Sequence, residues 1–320
     1  MSHFRYFFLS VLLILALNLS GCSLFRRSST PANEPVELST QVESPESAVP
    51  ATPLEATKPN REKKKITLVL GGAGIASFAT VGLLKRLNEE GIEIETLITT
   101  GWPSLFALAS GFLRSVHDVE WFAMRLQEKD FYKTSRFDPN KGDPASEKLS
   151  PLIETHFKQK EIEESKFSLI ISSANTEGET GDTYDRGDWR TPLLKTMSIP
   201  GLFKPYPKNT DLNWIQSLQG IDVEEAKKRG GTLIVAVEMY GDYYDFLKAG
   251  NKDSSDGVFR QLYLTSLKKN VARELKEAQI VSHIQLQSSP TNFSQKRLAI
   301  FSGYKEGARL AKAIRSLPKN

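Results

Sequence analysis

Apolar runs and segments with helically spaced apolar residues alternate along the chain between residues 66 and 318. The apolar runs are rich in β-branched residues and predict strands over residues 66–72, 92–101, 167–175, 232–239 and 279–287. The helical spacing predicts helices over residues 75–91, 116–131, 148–157, 191–199, 223–231, 259–278 and 297–317. Strands that alternate with helices are typical of an α/β fold with a mostly parallel central sheet.

Local signals refine two of these elements. Gly91 is predicted to end the first helix as its C′ glycine.

Residues 240–246, YGDYYDF, follow a predicted strand and are interpreted as a β-α loop, with an exposed aromatic rim as the alternative. Trp102, Phe106 and Phe112 are expected to belong to the core.

The N-terminal segment, residues 1–21, has the features of a lipoprotein signal peptide. Arg5 supplies a positive charge before the apolar stretch YFFLSVLLILAL, and Leu19-Ser20-Gly21-Cys22 resembles the bacterial lipobox. That resemblance implies cleavage before Cys22 and acylation of it, and Cys22 is the single cysteine of the chain. Ser23, in place of an aspartate, points by the same resemblance to the outer membrane of a Gram-negative bacterium, facing the periplasm. An ordinary signal peptide is the alternative.

The next segment, residues 22–65, separates the acylated cysteine from the fold. Residues 23–60 are rich in Pro, Ser, Thr and Glu and nearly free of aromatic residues. Such a composition buries too little apolar area to offset the entropy of the chain. We therefore predict a disordered tether, followed by one folded domain over residues 66–320.

Charge and composition exclude several functions. The 42 basic and 38 acidic residues give a formal net charge of only +4, dispersed along the chain, which argues against a nucleic-acid partner. The four histidines stand apart in sequence, and no metal-binding motif accompanies them. The sequence predicts neither a metal site nor a cofactor.

The predicted domain resembles the patatin-like phospholipase family over residues 66–318. LVLGGAGIASFATVGLLKRLNEEGIEIETLITTG is similar to the family's first strand, glycine-rich turn, helix and second strand. SIPGLFKPYP resembles its A-x-P-x-x-F-x-P segment, GGTLIVAVEM a following strand, and FSGYKEGARLAKAIRSLP the closing helix. The resemblance implies a three-layer α/β/α sandwich and, as the family's activity, acyl-ester hydrolysis by a Ser-Asp dyad.

The family's oxyanion turn, G-G-G-x-R-G, is kept in part. Gly71, Gly72 and Gly74 are present, whereas Ala73, Ala76 and Ser77 replace a glycine, the arginine and the closing glycine. Backbone N–H groups at such a turn could still bind an anion. The alternative is that these glycines only allow a strand and a helix to pack closely.

The family's nucleophile stands in a G-x-S-x-G turn, which here is Gly101-Trp102-Pro103-Ser104-Leu105. Pro103 therefore occupies the serine position and carries no nucleophile. Ser104 comes one residue late, and a shift of one residue turns a helical side chain by about 100°. The sequence predicts a helix that starts with Pro103 at N1, and Trp102 and Leu105 are expected to fill part of the family's pocket.

The catalytic aspartate of the family's D-G-[GA] motif aligns with Gln216, and a carboxamide cannot accept the serine proton at neutral pH. Aligning from the following strand instead brings Trp214 to that position. Asp222 and Asp211 are the nearby carboxylates. Asp222 begins a capping-box pattern and is predicted to cap a helix, and Asp211 is predicted to lie in a solvated turn.

These losses favour a membrane-anchored pseudoenzyme that binds a lipid or an envelope protein without cutting it. One alternative is a divergent serine lipid acyl hydrolase that uses Ser104 with Asp222 or Asp211. The other is a structural envelope protein that keeps the fold for stability alone.

Overall fold

The computed structural model describes residues 64–131, 145–157, 160–173, 182–203, 218–249 and 255–318. The chain divides into two compact units, Met1–Lys58 and Pro59–Asn320, and every described residue belongs to the second. The signal peptide, Cys22 and most of the tether lie outside the described residues, as do Asp211, Trp214 and Gln216.

The elements follow the predicted alternation. The strands are β1 (Lys65–Gly72), β2 (Glu93–Gly101), β3 (Ser168–Ser173), β4 (Asp182–Tyr184), β5 (Ile234–Met239) and β6 (Ile280–His283). The α-helices are α1 (Ala79–Glu89), α2 (Pro103–Phe112), α3 (Val116–Arg125), α4 (Glu128–Phe131), α5 (Ala145–Phe157), α6 (Arg190–Met197), α7 (Val223–Lys228), α8 (Gly241–Lys248), α9 (Ser255–Leu275) and α10 (Lys296–Ser316). Short 3₁₀ helices precede α1, β3 and α10, at Gly74–Phe78, Ile162–Glu164 and Phe293–Gln295.

The described strands form one sheet in the order β4-β3-β2-β1-β5-β6. Only the pairing of β4 with β3 is antiparallel, and the other four pairings are parallel. A mostly parallel sheet needs cover on both faces. Gly71 faces the segment Gly220–Ile221, whereas Gly72 faces Ser77 and Pro103. Since neighbouring strand residues point to opposite sides, both faces are covered, and the predicted α/β sandwich is confirmed.

Helices α1 and α10 pack against each other through glycines. A Cβ on Gly82 would lie 1.9 Å from the carbonyl oxygen of Ile300, and one on Gly303 would lie 1.9 Å from that of Ala79. The two backbones are therefore in direct contact. Gly91, with φ of +69°, follows the end of α1, so its role as a helix-ending glycine is confirmed.

Three element predictions are wrong in detail. The helix predicted over residues 116–131 is two helices, because Leu126 has an extended ψ of 128°. The helix predicted to stop at Pro200-Gly201 already ends at Met197. Residues 240–246 are neither a loop nor an exposed rim: they lie at the start of α8, and Tyr240 and Tyr243 are buried.

No helix within the described residues is long and apolar enough to span a bilayer.

Candidate functional site

The glycine turn and the GWPSL turn lie side by side at the carboxyl ends of β1 and β2. Gly72 pairs with Gly101 in the sheet, and the Trp102 N–H donates to the Gly72 carbonyl at 3.1 Å. Gly101 has φ of +78°, and a Cβ there would lie 2.2 Å from the Gly72 oxygen. Only glycine adopts this positive φ without strain and leaves room for the Gly72 oxygen. The fold therefore brings the glycine turn and the GWPSL turn together.

Pro103 starts α2 at its first position, which confirms the predicted helix start. Trp102 is the N-cap residue and makes no side-chain capping bond. Ser104 follows within the first turn, is 0% exposed, and its hydroxyl has no hydrogen-bond partner among the described residues. A substrate cannot reach this hydroxyl in the described conformation, and no base among the described residues lies within hydrogen-bond distance of it.

Two backbone donors of the glycine turn bind carbonyl groups within the protein. The Ile75 N–H donates to the Pro290 carbonyl at 2.8 Å, and the Ala73 N–H donates to Met239 at 3.5 Å. A Cβ on Gly74 would lie 2.4 Å from the Pro290 oxygen. The loop around Pro290 thus sits directly on the turn, and the close-packing interpretation of these glycines fits the geometry better than an anion site.

Asp222 caps α7, as predicted, by accepting a hydrogen bond from the Glu225 N–H at 3.0 Å. Its other carboxylate oxygen accepts from the Ser172 hydroxyl on β3 at 2.7 Å. Both residues are buried, and burial raises the pKa of Asp222 above its ordinary value, against the opposing effect of its two hydrogen bonds. The buried serine-carboxylate pair of this region is Ser172 with Asp222, and it does not include Ser104.

Bulky side chains fill the space next to the GWPSL turn. Trp102 stacks on Phe131 at 5.1 Å and on Phe203 at 4.9 Å between ring centroids. Leu105 is completely buried. The Tyr240 hydroxyl donates to the Gly220 carbonyl at 2.9 Å and lies 3.2 Å from the place of a Cβ on Gly101. These side chains leave the turn at Gly101 closely packed.

A cavity of about 480 Å³ lies away from this turn. Its lining includes Ile94 near the amino end of β2, Leu84 on α1 and Phe167 just before β3. It therefore opens near the amino ends of the strands. Ser110 of α2 also lines it, so it lies toward the opposite end of α2 from Ser104.

Sequence reasoning missed two polar pairs, the buried pair Ser172–Asp222 and the pair of buried Glu238 with exposed His283. Ser172 resembled an ordinary strand residue, and Glu238 is the single charged residue within an apolar run. The Nδ1 atom of His283 lies 2.9 Å from the Glu238 carboxylate. A carboxylate within a buried strand was the available signal, because such a group needs partners.

The described residues contain no group of three or more His, Cys, Asp or Glu side chains arranged to hold a metal ion. No protein-family model matches the chain, and no curated protein matches its sequence significantly.

Proposed function

We propose that this chain is a non-hydrolytic relative of the patatin-like phospholipases, held in the cell envelope by lipidated Cys22, that binds a lipid or an envelope protein. The proposal rests on one observation, the closed strand-to-helix turn. There Pro103 stands at the nucleophile position and Ser104 is completely buried. Acyl transfer needs a nucleophile that the substrate can reach and a base within hydrogen-bond distance of it.

Two further contacts support the loss of hydrolysis. The Ile75 N–H of the glycine turn donates to Pro290, which leaves that donor unavailable to a tetrahedral intermediate. Asp222 is the described carboxylate that could replace the missing base, and it accepts a hydrogen bond from the Ser172 hydroxyl instead. The order of strand, glycine turn, helix, strand and helix supports kinship with the family despite these losses. The outer membrane, facing the periplasm, is the proposed location.

A fluorophosphonate probe tests the loss of hydrolysis, because it labels activated serines. We expect no labelling of the purified full chain and no hydrolysis of p-nitrophenyl esters or phospholipids above background. Ser104→Ala is compared with Ser110→Ala, a second serine on α2 whose hydroxyl donates to Phe106. Turnover that is lost in Ser104→Ala and kept in Ser110→Ala would establish a divergent hydrolase and overturn the proposal.

A further inference from the structure

The closing helix, α10, is strongly basic. It carries six basic residues, Lys296, Arg297, Lys305, Arg309, Lys312 and Arg315, against the single acidic residue Glu306. The whole chain is nearly balanced, with 42 basic and 38 acidic residues. With six basic residues and one acidic residue, this helix alone has a net charge of +5, whereas the whole chain has +4.

The outward side of α10 also exposes two large apolar residues. Leu298 is 44% exposed and Phe301 is 52% exposed. At about 100° per residue, Leu298, Phe301 and Lys305 project from the side opposite the buried Gly303. The Lys305 ammonium lies 4.4 Å from the centre of the Phe301 ring. Apolar side chains with cations around them thus form one continuous outward face.

Some cations of α10 have structural roles and others do not. Lys296 donates to the carbonyls of Met124 and Leu126, Arg309 pairs with Glu306, and Arg315 pairs with Glu90. In contrast, Arg297, Lys305 and Lys312 are exposed and form no ion pair with a described residue. These three residues are free to meet an external anion.

We propose that this face of α10, defined by Arg297, Leu298, Phe301, Lys305 and Lys312, docks on an anionic lipid bilayer surface. Basic residues are attracted to anionic headgroups, and Leu298 and Phe301 can enter the headgroup region as the apolar side of an interfacial helix does. A purely polyanionic partner such as nucleic acid would leave both apolar residues unused. This proposed membrane contact is a separate property from the proposed loss of hydrolysis and does not depend on it.

A fluorescent label tests the contact in the full chain. Cys22→Ser removes the single native cysteine, and Phe301→Cys then carries an environment-sensitive fluorophore. Leu262→Cys is the matched site, since Leu262 is an apolar residue of α9 that is 65% exposed. We expect doxyl-labelled lipids to quench the label at position 301, but not at 262, in phosphatidylcholine vesicles that contain phosphatidylglycerol. Quenching should be absent in pure phosphatidylcholine and weaker in high salt.

Charge reversal tests the electrostatic part. The variant Arg297→Glu/Lys305→Glu/Lys312→Glu should raise the lipid concentration for half-maximal quenching roughly 100-fold. The matched variant Arg114→Glu/Lys269→Glu/Lys276→Glu makes the same change of charge at exposed positions on other parts of the chain and should have little effect.

Three outcomes would overturn the proposal. They are no quenching of the label at position 301, equal quenching of the labels at positions 301 and 262, or an equal rise in the lipid concentration for half-maximal quenching in both charge variants. The first would point instead to an anionic macromolecule as the partner. Ester hydrolysis is measured separately, so the two proposals fail independently.

Discussion

At the scale of single residues, buried hydroxyl groups distinguish structural roles from catalytic ones. Ser104 and Ser172 are both completely buried, yet only Ser172 has a hydrogen-bond partner, the Asp222 carboxylate. A catalytic serine must be within reach of both a base and the substrate, and the completely buried Ser172 meets only the first condition. The Ser172–Asp222 pair therefore joins β3 to the start of α7 and is not an active site.

Alanine substitutions should separate the two serines. Ser104→Ala removes an unpaired buried hydroxyl and should leave the free energy of unfolding unchanged or raise it by about 1 kcal/mol. Ser172→Ala leaves a buried carboxylate without one of its two donors and should lower it by about 1–3 kcal/mol. Urea unfolding followed by circular dichroism measures both values. Equal destabilisation in the two variants would contradict this assignment.

Asp222 should also give stability a distinct pH dependence. Because its pKa is raised in the folded state, the folded protein binds more protons than the unfolded chain between the two pKa values. The contribution of Asp222 to the free energy of unfolding is therefore fully present below about pH 4, near the pKa of the unfolded chain. It is lost as pH rises through the folded-state pKa.

Asp222→Asn keeps an oxygen that can cap α7 and should flatten this part of the pH profile, as measured by urea unfolding at a series of pH values. Asp118→Asn is the control, because Asp118 is an exposed carboxylate in the first turn of α3. An unchanged profile in Asp222→Asn would show that another group is responsible.

At the scale of elements, the contact between α1 and α10 depends on glycines. These helices approach so closely that a Cβ on Gly303 would lie within 1.9 Å of a backbone oxygen of Ala79. Backbone atoms cannot rotate out of the way as a side chain does, so the helices must move apart to accept it. The close contact also holds α10 with its basic side outward.

Gly303→Ala should therefore destabilise the protein although alanine favours helices. The gain in helix propensity is about 1 kcal/mol, whereas overpacking typically costs 1–3 kcal/mol or more. We expect the free energy of unfolding to fall, as measured by the urea midpoint at constant m-value. Ser302→Ala, at the neighbouring partly exposed position, should stay within about 0.5 kcal/mol of the original. A stable Gly303→Ala variant would contradict the close packing.

At the scale of the whole molecule, the region next to Gly101 is a centre of packing. The Trp102 ring joins three segments that are distant in sequence, since it begins α2 and stacks on Phe131 of α4 and on Phe203 after α6. Aromatic contacts within the protein therefore fill the space beside this turn.

Trp102→Ala should cost about 3–5 kcal/mol, because it removes a large buried ring and leaves a cavity. Trp102→Phe should cost less, since the indole N–H has no described hydrogen-bond partner to lose. The matched control is Trp121→Ala, which removes a ring that is 67% exposed and should change stability by about 0.5 kcal/mol or less. Similar losses for the two alanine variants in urea unfolding would show that Trp102 is not a packing centre.

The sequence by itself determined the order of strands and helices, because the periodicity of apolar residues is a local property of the chain. It also predicted Pro103 at the start of a helix, Gly91 at the end of one and Asp222 as a cap, each from residues close in sequence. It did not predict the break at Leu126 or the helix at 241–248, where packing overrides weak local signals.

Only the tertiary structure decided which distant residues meet. Ser172 and Asp222 are 50 positions apart, and Glu238 and His283 are 45 apart. These pairs depend on the order of strands in the sheet and on how the covering segments lie on it, and neither is encoded in local spacing. For the same reason the sequence could locate Ser104 next to the nucleophile position, but only the packing of Trp102, Leu105 and Tyr240 around that turn decided that it is closed.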